Sequence, residues 1–154
     1  MKRAYRGVLR GLRHTRYVAS GSPPLYRLVA LGTLLSGIAQ AFDREATLSV
    51  AALTPDWFDW VFIGITIAGG AMTLIGLYMT SENRYHATRL ALSLQIERTG
   101  LAFMLTVAAV NIVALMFYYG EPPTGMGSWL LIVLWFWAWT RLWDIRKALK
   151  GLTR

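Results

Sequence analysis

The chain has 154 residues, of which 55% are hydrophobic, a mean hydropathy of +0.42 and a formal net charge of +8. This hydropathy excludes an ordinary soluble domain, and the absence of cysteine excludes disulfides, thiolate metal sites and cysteine redox chemistry. The apolar residues form four runs, Leu25–Phe42, Trp57–Met79, Leu101–Tyr119 and Trp129–Ile145. A helix needs about 20 residues to cross a hydrocarbon core. The sequence therefore predicts an all-α integral membrane protein with one four-helix transmembrane domain over residues 25–145.

Charge alternates between the two predicted sides of these spans. Fifteen of the sixteen Lys and Arg residues belong to the N-terminal segment, the segment around residues 80–100 and the C-terminal end, where only three acids accompany them, a balance of +12. The other side holds one Arg and five acids, a balance of −4. Cytoplasmic loops are enriched in Lys and Arg. We therefore predict that both termini are cytoplasmic and that the protein lies in the inner membrane, whereas nucleic-acid binding is disfavoured.

Residues 1–20 are predicted to form a basic amphipathic helix on the cytoplasmic membrane surface. Its arginines recur at three- and four-residue steps, opposite an apolar face. They are expected to contact anionic lipid headgroups, and they are Arg3, Arg6, Arg10 and Arg13. The simpler interpretation is that these cations only anchor the topology. The first apolar run lacks a good cleavage site, so we expect a retained span rather than a signal peptide.

Small residues on the first two spans predict close contacts between helices. The candidate packing residues are Gly32 and Ser36 on the first span and Gly64, Ala68, Gly69, Thr73 and Gly76 on the second. Thr54 is predicted to cap the second span, where Asp56 and Asp59 would stabilise the positive end of the helix dipole. A proton or cation site is the alternative interpretation of these two acids.

The third span continues a helical pattern that begins near Thr80. Glu97 and Arg98 lie where this helix is expected to enter lipid, and they are predicted to anchor the interface or to pair with a charge on another helix. Asn111 is the one strongly polar residue deep in the span. Asparagine at such depth usually hydrogen-bonds to a neighbouring helix or a second copy, and a pore contact is the alternative.

The fourth span is rich in tryptophan and leads into a basic cytoplasmic tail, residues 146–154. Its aromatic side chains are predicted to face lipid or to form a packing surface for another subunit or membrane protein.

Catalytic and cofactor chemistry has few candidates in this sequence. The only histidines, His14 and His86, lie outside the spans, so haem ligation within the bundle is not expected. No acidic or basic side chain is predicted deep in a span, where proton-coupled transporters place such groups. We therefore expect a protein that is not an enzyme, without catalytic residues, metal or cofactor.

Three stretches and the basic start carry a resemblance to a known group. The stretches are Phe62–Tyr78, which ends in Gly-Leu-Tyr, Leu94–Leu101 and Trp143–Leu149. In layout, most of the chain resembles the small four-span holin-like membrane proteins of actinobacterial phages. The resemblance implies accumulation in the inner membrane and assembly of a homo-oligomer into lesions. The residues alone leave two alternatives, an accessory or regulatory subunit of a larger membrane complex and a passive channel.

Overall fold

The computed structural model describes residues 23–79, 87–120 and 124–152, and every regular element in these ranges is a helix. The helices are α1 (Pro23–Asp43), α2 (Leu48–Ala51), α3 (Asp56–Tyr78), α4 (Ala87–Tyr119) and α5 (Met126–Leu152). The predicted all-α class is thereby confirmed. The predicted N-terminal amphipathic helix with its four arginines, both histidines and the predicted helix start at Thr80 lie outside the described residues.

Three helices are long and apolar enough to cross a membrane. They cover Leu25–Asp43, Asp56–Tyr78 and Ala91–Tyr119, with 19, 23 and 29 residues. Helix α5 has 27 residues but is not among the three, because Arg141 and several tryptophans, each with a polar indole N–H, reduce its hydropathy. The fourth span and the orientation of the termini stay predictions.

The long helices pack antiparallel to their neighbours in the order α1, α3, α4, α5. A Cβ atom at Gly70 of α3 would lie 2.6 Å from the amide nitrogen of Leu34 in α1. At Gly100 of α4 it would lie 2.5 Å from the amide nitrogen of Thr73 in α3. The glycines therefore let the backbones of α1, α3 and α4 touch, since any larger residue would collide with the neighbouring helix.

The antiparallel order collects charges of opposite sign at the two ends of the bundle. The basic end, as we name it, includes the start of α1 and the end of α5, with Arg27, Arg141, Arg146, Lys147 and Lys150. The acidic end includes the end of α1 and the start of α3, with Asp43, Glu45, Asp56 and Asp59. This separation of charge agrees with the alternation in the sequence.

The connection between α1 and α3 lies at the acidic end. Ala46 and Val50 pack there with Phe62 and Ala114 in a small apolar cluster. The predicted cap by Thr54 is wrong: its hydroxyl donates backwards to the carbonyl of Val50 at 2.8 Å, and Pro55 occupies the N-cap position of α3 without a side-chain hydrogen bond. Because α2 ends only a few residues before α3, the carbonyl of Val50 accepts the hydrogen bond from the Thr54 hydroxyl, which is then not available to cap α3.

Candidate functional site

A buried ion pair joins α4 to α5 near the basic end. The guanidinium of Arg141 donates from Nη2 at 3.0 Å and from Nε at 3.2 Å, and both bonds go to Oε1 of Glu97. The side chain of Glu97 is 0% exposed and that of Arg141 is 5% exposed. Charges hidden so completely from water are tolerated only when they are paired and hydrogen-bonded. Each of the two charges is therefore tolerated in the interior only while the other is present.

Helix α3 fixes the position of Glu97 through a close contact between the two helix backbones. A Cβ atom at Gly76 would lie 2.7 Å from the amide nitrogen of Glu97, so the backbones of α3 and α4 touch at this residue. One turn earlier on α4, the hydroxyl of Ser93 donates to the carbonyl of Gly76 at 2.7 Å. This contact leaves the carboxylate little freedom to move along the helix axis.

Tyr26 brings α1 to the same carboxylate. Its hydroxyl donates to Oε1 of Glu97 at 3.2 Å, and its ring meets that of Trp137 edge to face with the centroids 4.9 Å apart. Tyr26 also belongs to an apolar cluster from α4 and α5, whose other members are Leu94, Leu101, Leu105, Ala138, Leu142 and Ile145. Helices α1, α4 and α5 thus converge on one oxygen atom inside an apolar shell. We call Tyr26, Glu97 and Arg141 the buried triad.

The buried triad shows that two charged side chains are buried in this bundle, although the sequence predicts none deep in a span. Arg141 lies within the predicted fourth run, and Glu97 lies four residues before the predicted start of the third run at Leu101. Of the two predicted roles for Glu97, pairing with a charge on another helix is the one found. In the sequence, Arg141 is explained as one of the cations of the cytoplasmic C-terminal end, without a partner. A cation inside an apolar run is itself a reason to expect a partner in the protein.

The candidate packing residues divide into two groups. Gly69, Thr73 and Gly76 are buried in the contact between α3 and α4, and Ala68 is half-buried beside them. Gly32, Ser36 and Gly64 are exposed on the outside of the bundle, and a Cβ atom at either glycine would meet no atom within 4 Å. The first group is used within one chain, whereas the second faces whatever surrounds the protein.

Asn111 forms its described hydrogen bonds within its own chain. Its Oδ1 accepts from the hydroxyl of Thr47 at 2.8 Å, and its Nδ2 donates to the carbonyl of Val107 at 3.1 Å. Because Thr47 precedes α2, this contact ties the α1–α3 connection to the half of α4 that is nearer the acidic end. The side chain thus has a packing partner on the neighbouring segment.

A cleft separates α1 from the N-terminal half of α5, the half that lies nearer the acidic end of the bundle. It has a volume of about 130 Å³ and an almost wholly apolar lining. Val29 and Thr33 of α1 line one wall, Leu131 and Leu134 of α5 line the other, and α4 forms the floor from Leu101 to Asn111. The contact between Tyr26 and Trp137 closes the cleft at the basic end. Helices α1 and α5 therefore meet beside the buried triad and diverge beyond it.

Metal-binding geometry does not occur in the described part of the chain, where no three His, Asp or Glu side chains come together. No protein-family model, curated protein or solved structure matches this chain. The holin-like resemblance therefore rests on the sequence alone. Chemically, the buried triad can hold three helices together through one carboxylate.

Proposed function

We propose that this protein is a non-enzymatic, holin-like protein of the inner membrane, with four spans and cytoplasmic termini, and that it acts by self-association in the bilayer. Three apolar helices support its place in a membrane. The alternation of charge along the sequence supports the orientation. The layout that it shares with small phage membrane proteins supports permeabilisation as the outcome of assembly.

One observation carries the proposal of self-association, a row of small and polar residues on the outer face of α1. Gly32, Ser36 and Gln40 follow one another at four-residue steps, and both Gly32 and Ser36 are exposed. The amide of Gln40 donates to the hydroxyl of Ser36 at 3.2 Å. That bond uses one N–H of the amide and leaves its second N–H unused, whereas Oε1 is buried within the chain. In hydrocarbon, small residues permit close approach of a second helix and polar side chains gain from partners on it.

A second copy of α1 is the simplest partner for this row, because the same residues would then face each other across a two-fold axis. Several other small residues of α1 and α3 already pack within one chain, at Gly37 against Ile67 and at Gly70 against Leu34, whereas Gly64 of α3 is open. Gly32 and Ser36, in contrast, are exposed on the side of α1 away from these contacts, and Gln40 is half-buried one turn further on. On α1, Gly32 and Ser36 therefore stay available for assembly.

An accessory subunit of a larger complex is the second candidate, and the surface of α5 favours it. Large side chains stay exposed along this helix, including Trp129, Val133, Phe136, Trp139 and Trp143. Tryptophan and phenylalanine are frequent anchors in protein interfaces. Lipid can cover these apolar side chains as well as a protein partner can. The exposed face of α5 is therefore weaker support for an accessory subunit than the small and polar residues of α1 are for self-association.

Resonance energy transfer in liposomes tests the self-association. Protein labelled with donor or acceptor is co-reconstituted at several lipid ratios, and transfer above the level expected for random proximity reports assembly. Gly32→Leu should lower the transfer, because the larger side chain holds two α1 helices apart. Gly64→Leu is the matched control, since Gly64 is an equally open glycine on the outer face of α3. Equal transfer in both variants would contradict an interface on α1.

Expression in bacteria tests the permeabilising activity. We expect loss of membrane potential and release of cytoplasmic contents when a lysin without its own export signal is co-expressed. Gly32→Leu should delay both events, whereas Gly64→Leu should leave their timing unchanged. Harmless accumulation at a high membrane level, together with copurification of one defined membrane protein, would favour the accessory subunit instead.

A further inference from the structure

The four long helices are held together by two different kinds of contact. Between α1, α3 and α4 the backbones touch, because a Cβ atom at Gly37, Gly70, Gly76 or Gly100 would lie 3.0 Å or less from a neighbouring main-chain atom. Helix α5 has no such contact at Gly127, which faces open space. Instead, its side chains Ala138, Leu142 and Ile145 pack on α4 near the basic end. The first three helices thus form a close-packed core to which α5 is added.

The buried triad lies where α5 meets this core. Arg141 of α5 forms an ion pair with Glu97 of the core, and Glu97 is held by the backbone contact with Gly76. Tyr26 extends the same connection to α1. On the acidic side of Trp137, the cleft takes the place of a contact between α1 and α5. The attachment of α5 to α1 is therefore concentrated at one end.

We infer that the buried triad is a latch, and that loss of the Glu97–Arg141 pair lets α5 move away from a core of α1, α3 and α4 that stays folded. A buried charge that loses its partner is unstable where it lies. Arg141 is near the end of the bundle, and a long arginine side chain can reach water only if α5 shifts or turns. Movement of α5 would widen the existing cleft, since no backbone contact of the core needs to break. The inference concerns one molecule and does not depend on self-association.

Distances between spin labels test the latch in liposomes. The chain has no cysteine, so labels can be introduced in pairs without removing a native thiol. Leu35→Cys with Val133→Cys reports the separation of α1 and α5, and Leu35→Cys with Ile75→Cys reports α1 and α3. All three side chains are more than half exposed, so the labels do not disturb the interior. The two pairs share one labelled site, which makes the second pair a matched control.

We expect Glu97→Gln and Arg141→Gln to lengthen and broaden the 35–133 distances while the 35–75 distances stay as in the wild type. The charge-reversed variant, Glu97→Arg with Arg141→Glu, should narrow the 35–133 distances again. Unchanged 35–133 distances in both single variants would overturn the inference. Equal broadening of both pairs would also overturn it, because α5 would then not be separable from the core. A charge-reversed variant that stays open would contradict a role for the ion pair itself.

Discussion

Arg141 directs both Nε and Nη2 to the same carboxylate oxygen of Glu97, at 3.2 and 3.0 Å, and neither side chain is more than 5% exposed. A pair so arranged contributes little net stability compared with apolar residues of the same shape. Removal of one partner alone, however, leaves an uncompensated charge in an apolar shell. Replacing one partner should therefore destabilise the protein far more than replacing both.

Glu97→Gln and Arg141→Gln should each destabilise the protein by about 3–5 kcal/mol, the usual cost of a buried charge without its partner. The double variant should lose clearly less than the sum of the two single losses, because it contains no unpaired charge. Thermal unfolding in mild detergent, followed through the fluorescence of the seven tryptophans, measures these differences. Additive losses would show that the two side chains act independently.

Tyr26→Phe should destabilise the protein by about 1.5–3 kcal/mol, since it removes a hydrogen bond to a charged group and keeps the aromatic ring against Trp137. Tyr78→Phe is the matched control. The ring of Tyr78 lies 5.2 Å from the guanidinium carbon of Arg27, and this contact needs no hydroxyl. The melting temperature of the control should equal that of the wild type. A similar decrease in both variants would mean that the hydroxyl of Tyr26 has no special role.

Gly100→Ala should reduce stability by about 1–3 kcal/mol, the cost of overpacking. The new Cβ atom would lie 2.5 Å from both the amide nitrogen and the hydroxyl of Thr73, so α3 and α4 would have to separate. Gly127→Ala is the control, because its Cβ atom has open space and alanine favours a helix. The fraction of protein that stays monodisperse in detergent after heating should be lower for Gly100→Ala than for Gly127→Ala. Tolerance of Gly100→Ala would contradict the close contact of α3 and α4.

Thr47→Val and Asn111→Leu should show a coupling energy of about 0.6–2 kcal/mol in a double-mutant cycle, the range for hydrogen bonds between membrane segments. The hydroxyl of Thr47 donates to Oδ1 of Asn111 at 2.8 Å, so either substitution removes the same bond. Unfolding of the four proteins in one detergent gives the coupling. A value near zero would assign Asn111 to another partner, such as a second copy or a pore.

The helical architecture could be predicted because it depends on local patterns. Apolar runs of about 20 residues identify α1, α3 and α4, and two prolines with a glycine, Pro122, Pro123 and Gly125, mark the connection between α4 and α5. A pattern that continues from near Thr80 through the third span also predicts the long helix α4, which is found over Ala87–Tyr119. Glu97 and Arg98 suggest the edge of a span. Burial by α3 and α5 makes Glu97 compatible with the interior. Helix α2 is only four residues long, too short for a periodic pattern to indicate it.

The buried triad was harder to predict, for a physical reason. Glu97 and Arg141 are 44 residues apart in the chain, and Tyr26 is 71 residues from Glu97. No local spacing reports a contact of that kind. In addition, Arg141 near the end of an apolar run satisfies the charge rule for cytoplasmic ends, which explains it without a partner. The small residues of α3 indicated close packing, but only the helix arrangement separates the buried Gly69, Thr73 and Gly76 from the exposed Gly64.

The central claim, that this protein assembles in the membrane, is tested most directly by counting copies. Each molecule carries one fluorophore at a single introduced cysteine, and the protein is reconstituted into liposomes at decreasing density. We predict that bleaching occurs in several steps for most particles and that Gly32→Leu shifts the distribution towards single steps. Single-step bleaching of the wild type at every density would contradict the account.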